Sequence, residues 1–190
     1  LDSSFVDAYH LRGLIYMQMN DLNAAEESLN RALSLRSNDP DILHNLGWLQ
    51  CQKQQYAKAE ALFDQALAVP TYLDRNKTQM SKGVCLVRAG KPDQAEPILT
   101  RAYELDAGNP ILGYEVAKLK FDKGDLKRAQ FYVRRVNNGN FSTAESLWLG
   151  IKVERGLSDP VAVRQLADQL RKRFPDSKQM LAYERGAFNE

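Results

Sequence analysis

The sequence predicts an all-α protein made of stacked antiparallel helix pairs. Three observations carry that expectation: residues recur with a period of about 34, apolar positions within each period follow helical spacing, and turn-forming residues punctuate each period. "AYHLRGLIY" (8–16) is followed by "AAEESLNRAL" (24–33), and "DILHNLGWL" (41–49) by "KAEALFDQAL" (58–67). "TQMSKGVCL" (78–86) is followed in the same way by "QAEPILTRAY" (94–103). Ala25, Ala59, Ala95 and Ala129 step by 34, 36 and 34 residues.

Composition narrows the function classes. The 190 residues are 44% hydrophobic and 26% charged, ordinary for a folded domain or a short repeat array. With 26 basic and 24 acidic residues and no block of like charge, nothing argues electrostatically for nucleic acid or an anionic membrane. No apolar run approaches the roughly 18 residues of a membrane span. The opening "LDSSFVDAYH" has neither an initiator Met nor a signal peptide, so a start inside a mature or trimmed protein is expected.

The period divides the chain into five helix pairs, about 6–39, 40–72, 76–109, 110–142 and 143–177, in a single array over 1–190. The segment 178–190 is left to cap the last exposed face. A small residue midway along each first helix (Gly13, Gly47, Gly83, Ala117, Gly150) admits the second helix closely. The alanine opening each second helix (Ala25, Ala59, Ala95, Ala129, Ala162) does the same from the other side. A large apolar residue four positions on (Leu29, Phe63, Leu99, Val133, Leu166) fills the space between pairs. Asn20-Asp21, Gly90-Lys91 and Gly124-Asp125 mark turns inside pairs, and Pro40, Pro110 and Pro175 mark junctions between them. The pattern weakens in the last two pairs, where Val136 and Gln169 replace the late alanine. "VPTYLDRN" (69–76) is a longer loop between the second and third pairs.

This pattern resembles the tetratricopeptide repeat. The resemblance implies a right-handed solenoid whose pairs bury their apolar stripes only by stacking, and whose first helices line a concave groove. Carried over position by position, the expected partner groove comprises His10, Leu14, Met17, His44, Trp48, Met80, Val84, Tyr114, Phe121, Leu147 and Ile151. So apolar a stripe on a water-facing surface marks an interaction site for a partner helix or strand. The competing expectation is that some of these residues bury against neighbouring helices. Trp48 and Tyr114 are the favoured anchors, since aromatic residues dominate interface energetics.

No catalytic residues, cofactor or metal site is expected. His44 and Cys51 share a helix face, but seven residues put their Cα atoms about 10 Å apart, too far for the proton transfer that a Cys–His nucleophile needs. His10 and His44 occupy equivalent positions in adjacent pairs, yet two histidines without a third ligand make a poor metal site.

Several stretches resemble one family more closely: "NLGWLQC", "LFDQALAVPTYLDRN", "SKGVCLVRAG" through "QAEPILTRAYELD", and "AESLWLGIKVERGLSDPVAVRQLADQLRKRFPDS". They are similar to the outer-membrane tetratricopeptide lipoproteins of type IV pilus biogenesis, the PilF/PilW family. The resemblance implies a pilotin on the periplasmic face of the outer membrane of a Gram-negative bacterium. Its partner would be the pilus secretin or another pilus-assembly protein, and its membrane attachment an N-terminal lipid outside this chain. Family members carry about six repeats, so a first repeat before Leu1 is implied.

The two cysteines, Cys51 and Cys85, fall at mid-helix in adjacent first helices, at positions whose side chains need not point at each other. Two buried free thiols and one bridge both remain open on that basis. The resemblance favours a disulfide, because some family members carry cysteines at both matching places and reside in an oxidising compartment. Two other functions compete with this one. A carboxylate-clamp co-chaperone is matched by Asn45 and Lys77 but broken at His10, Leu14 and Ser81. An adaptor or regulatory domain of a different cytosolic or periplasmic complex is the remaining alternative.

Overall fold

The computed structural model describes residues 3–189, within which eleven α-helices and no strand occur. They are α1 (Ser3–Gln18), α2 (Leu22–Leu35), α3 (Pro40–Gln52), α4 (Tyr56–Ala68), α5 (Arg75–Arg88) and α6 (Pro92–Leu105). After them come α7 (Pro110–Asp122), α8 (Leu126–Asn137), α9 (Ala144–Gly156), α10 (Pro160–Arg173) and α11 (Lys178–Glu184). The fold is all-α. The helices gather into two compact units, 1–102 and 103–190, with the boundary inside α6.

Short polar side chains start the helices. Asp21, Asp39, Asn109, Asp125, Asp159 and Ser177 each accept from first-turn N–H groups that have no partner within the helix. Thr143 and Ser146 cap α9 reciprocally. Proline follows the cap at 40, 110 and 160, where its missing N–H costs nothing.

One device ends all five first helices. Asn20, Gln54, Gly90, Gly124 and Ser158 adopt left-handed backbone, with φ between 59° and 77°. The N–H after each of them returns to the carbonyl five residues back: Asp21 to Tyr16, Gln55 to Gln50, Lys91 to Leu86, Asp125 to Lys120 and Asp159 to Glu154, at 2.8–3.0 Å. Gln54 and Ser158 escaped the sequence reading because neither residue type signals left-handed backbone.

Within the first unit the small-against-large key closes as the period predicts. A Cβ added at Gly47 would lie 2.8 Å from the Phe63 ring, and one at Gly83 would lie 2.5 Å from Leu99. Any larger residue there would force the paired helices apart. The loop 69–76 is tied down by Tyr72, which is buried and shares a 2.7 Å hydrogen bond with the Thr78 hydroxyl. Cys51 and Cys85 form a disulfide linking α3 to α5, with Cα atoms 5.8 Å apart. Both are buried beside Ala59 and Phe63.

The second unit has two cores. Ala117, Ala129, Val133, Leu149 and Val153 pack α7 and α8 against α9, and Leu147, Ile151, Ala167, Leu170 and Met180 join α9 and α10 to α11. Glu154 lies inside this unit with its carboxylate only 1% exposed. It accepts from Arg134 Nε at 2.6 Å, Arg134 Nη2 at 3.0 Å and Gln130 Nε2 at 2.8 Å, which satisfies the buried charge.

Candidate functional site

The expected groove residues divide by what covers them. In the first unit, α1, α3 and α5 bring His10, Leu14, Met17, Trp48 and Met80 to half-buried positions. His44 and Val84, expected on the open lining, are instead buried. The His44 ring turns toward the next first helix, where Nδ1 and the Thr78 hydroxyl share a 2.8 Å hydrogen bond. Asn45 donates to Nε2 of His10 at 2.7 Å, so the two histidines have separate partners. The large apolar side chains most exposed in this unit include Phe5, Leu11 and Ile15 on α1, Met19 just after it and Leu73 in the 69–76 loop, outside the expected lining.

Trp48 is the best-formed anchor of this unit. One flank packs on the Cys51–Cys85 cluster, and the Arg88 guanidinium lies 4.8 Å from its ring centroid. An aromatic surface with a cation over its face suits a partner segment carrying both apolar and acidic groups.

In the second unit Tyr114 and Phe121 on α7 are half-buried, while Leu147 and Ile151 on α9 are fully buried. The latter two are corrected from lining to core. Residues at their position in the pair point toward the following helix, and α11 covers them. Trp148, one residue on, is buried in the same core, and its outer edge reaches α7. It shares a recess of about 120 Å³ with Tyr114, Phe121, Lys152 and Gln179, rimmed also by Glu145 and by Lys118 paired with Asp122 at 2.6 Å. Lys152 Nζ lies 5.4 Å from the Phe121 ring and 5.6 Å from the Trp148 ring. Burial, followed by the nearby Lys118, lowers the Lys152 pKa. Burial, followed by Glu115, Glu145 and Asp122, raises that of Tyr114 to about 12. Trp148 and Lys152 were missed because the surroundings of α9 depend on the short helix that follows, which the repeat frame does not encode.

Burial, reinforced by Lys77, lowers the His44 pKa to about 4 from an ordinary 6.5. The unfolded chain therefore binds a proton between these values that the folded chain refuses. The His44 contribution to stability is complete above pH 6.5 and is lost as pH drops toward 4, by up to roughly 3 kcal/mol. Urea titrations at pH 7.0 and 4.5 are expected to show a smaller acid loss for His44→Gln than for the parent chain. An equal loss in both proteins assigns the acid sensitivity to other groups.

Three sequence models of the tetratricopeptide repeat match residues 5–71, 52–110 and 86–146. The chain belongs to the tetratricopeptide-repeat proteins. It is homologous to the type IV pilus assembly protein PilF of Pseudomonas aeruginosa, with 23% identity over 177 residues, 93% of this chain and 70% of PilF. The crystal structure of PilW, a widely conserved type IV pilus biogenesis factor, superposes with a TM-score of 0.85 at 29% identity, covering 96% of this chain and 84% of PilW. The solved PilF structure shares the fold at a TM-score of 0.87 and 22% identity, covering 97% and 83% of the two chains. Cellulose synthase operon protein C of Pseudomonas fluorescens is 30% identical over 118 residues, but the match spans 55% of this chain and only 9% of that much larger protein.

Proposed function

We propose that this repeat protein is a non-enzymatic pilotin-type scaffold of the type IV pilus system. It works on the periplasmic side of the outer membrane, held there by an N-terminal lipid, and helps the pilus secretin reach that membrane and assemble. The observation that carries the reading is homology to PilF along 93% of the chain, including the last two pairs where the generic repeat pattern fades. The buried Cys51–Cys85 bridge supports an oxidising compartment, since such bridges are rare where thiols are kept reduced. Trp48 beside Arg88, and the Tyr114–Phe121–Trp148 recess beside Lys152, offer aromatic and cationic contacts to a partner helix or strand.

The test is recovery of this protein by immobilised secretin from the same organism. Recovery is expected to fall at least about tenfold for the Trp48→Ala/Tyr114→Ala double variant, as removal of two aromatic anchors would give. Undiminished recovery of that variant removes the aromatic lining from the proposal. No recovery of the parent chain removes the secretin.

A further inference from the structure

The last face of the second unit is only half covered. At 1.5 Å per residue, α9 and α10 are each about 20 Å long, whereas the seven-residue α11 spans about 10 Å. It begins at the start of α9, where Gln179 Nε2 donates to Glu145 Oε1 at 3.4 Å. The chain then turns at Gly186, and Phe188 stacks on Trp148 with ring centroids 5.4 Å apart. The final turn of α9 and the first turns of α10 are left without a helix over them. A cavity of about 840 Å³ opens there, walled by Val163, Tyr183 and Phe188.

Its charge is uneven. The Arg155 guanidinium sits 3.9 Å over the Phe188 ring, and Arg164 borders the same cavity. Three arginines (Arg155, Arg164 and Arg171) and two carboxylates line it: Asp159 caps α10 through the Ala162 N–H at 3.0 Å and faces Arg134 at 3.6 Å, Arg171 pairs with Asp168 at 3.0 Å, and Glu184 stands at the rim. Residues 155–189 hold seven basic and four acidic side chains, in a chain whose net charge is only +2. A cavity with an apolar wall and arginines at its rim matches an apolar side chain flanked by carboxylates, which guanidinium groups can bind bidentately.

We propose that this cavity docks an acidic amphipathic helical segment of a partner protein. The segment occupies the place of the turns that α11 lacks, with its apolar side chain against Val163, Tyr183 and Phe188 and its carboxylates on Arg155 and Arg164. This surface adjoins the Trp148 recess through the Trp148–Phe188 stack, and the proposal does not depend on the secretin being the partner.

Trp148 reports on the cavity through its stack with Phe188, and Trp48→Phe leaves it the sole tryptophan of two. The probes are a blocked synthetic helix of Glu, Leu and Ala and its twin with Lys in place of every Glu. The Glu helix is expected to change Trp148 emission saturably and to bind at least about tenfold more tightly than the Lys twin. Arg155→Glu/Arg164→Glu reverses that order without altering far-ultraviolet circular dichroism, because both side chains are exposed. Arg155→Lys/Arg164→Lys keeps it. Equal binding of the two helices, or an unchanged order in the charge-reversed variant, overturns the proposal. A light-scattering mass of twice 21.5 kDa that charge reversal halves also overturns it, assigning the cavity to a second copy of this chain.

Discussion

Replacing Arg134 by Met is expected to cost about 3–5 kcal/mol. The asymmetry of the pair sets the magnitude. Arg134 is 49% exposed and, taken alone, could turn to water, whereas the Glu154 carboxylate is 1% exposed and could not. Removing the arginine strands a buried charge with Gln130 as its one remaining side-chain partner. In a chain of this length the loss corresponds to a melting temperature lower by roughly 10 °C. The double variant Arg134→Met/Glu154→Leu is expected to recover most of it, because removing both charges also removes the desolvation penalty. Thermal or urea unfolding of the three proteins checks this. A single variant as stable as the parent would show that the carboxylate is satisfied without Arg134.

The second large effect is loss of the Cys51–Cys85 bridge. The crosslink closes a loop of 34 residues of sequence separation, and in the chain-entropy account this restricts the unfolded state by about 4 kcal/mol. Cys51→Ala/Cys85→Ala is expected to lower stability by that amount, plus a smaller cost for the emptied volume beside Phe63. Both sulfur-bearing residues are at most 4% exposed, so a reductant must wait for α3 and α5 to separate. Iodoacetamide after dithiothreitol should therefore label the folded protein slowly and the urea-unfolded protein at once, read as two adducts by intact mass. Rapid labelling of the folded protein would place the bridge in a locally open segment. Reactive chemistry at Cys51 is displaced by this bond. The thiol that shares a helix face with His44 is a covalent link between neighbouring repeats.

The two predictions fall on features that differed in how readable they were. Adjacent repeats placed the cysteines on neighbouring first helices, but whether the two side chains converged depended on the rotation of α3 against α5. Nothing in the repeat pattern marks Glu154 for burial, and the structure turns it inward to meet α8. Its partner, Arg134, lies 20 residues away on another helix, and no local pattern announces such a pairing.

The sequence by itself determined the helix pairs, their small-against-large key and the kinship with pilus-assembly repeat proteins. Each of these is a local or repeated relation: the 3.6-residue period, a glycine facing a residue sixteen positions on, an Asp or Asn before a first turn. Which side of a first helix meets water was decided only in the tertiary structure. Leu147, Ile151 and Trp148 are sealed because α11 and the residues after it pack on them, while Lys152 stays half-buried at the recess beside Tyr114 and Phe121. His44 is buried because α5 and the Tyr72 loop close over it, and the cavity beside Arg155 exists because α11 stops after seven residues. Periodicity specifies what a helix can bury. Its neighbours, placed by long-range packing, determine what it does bury.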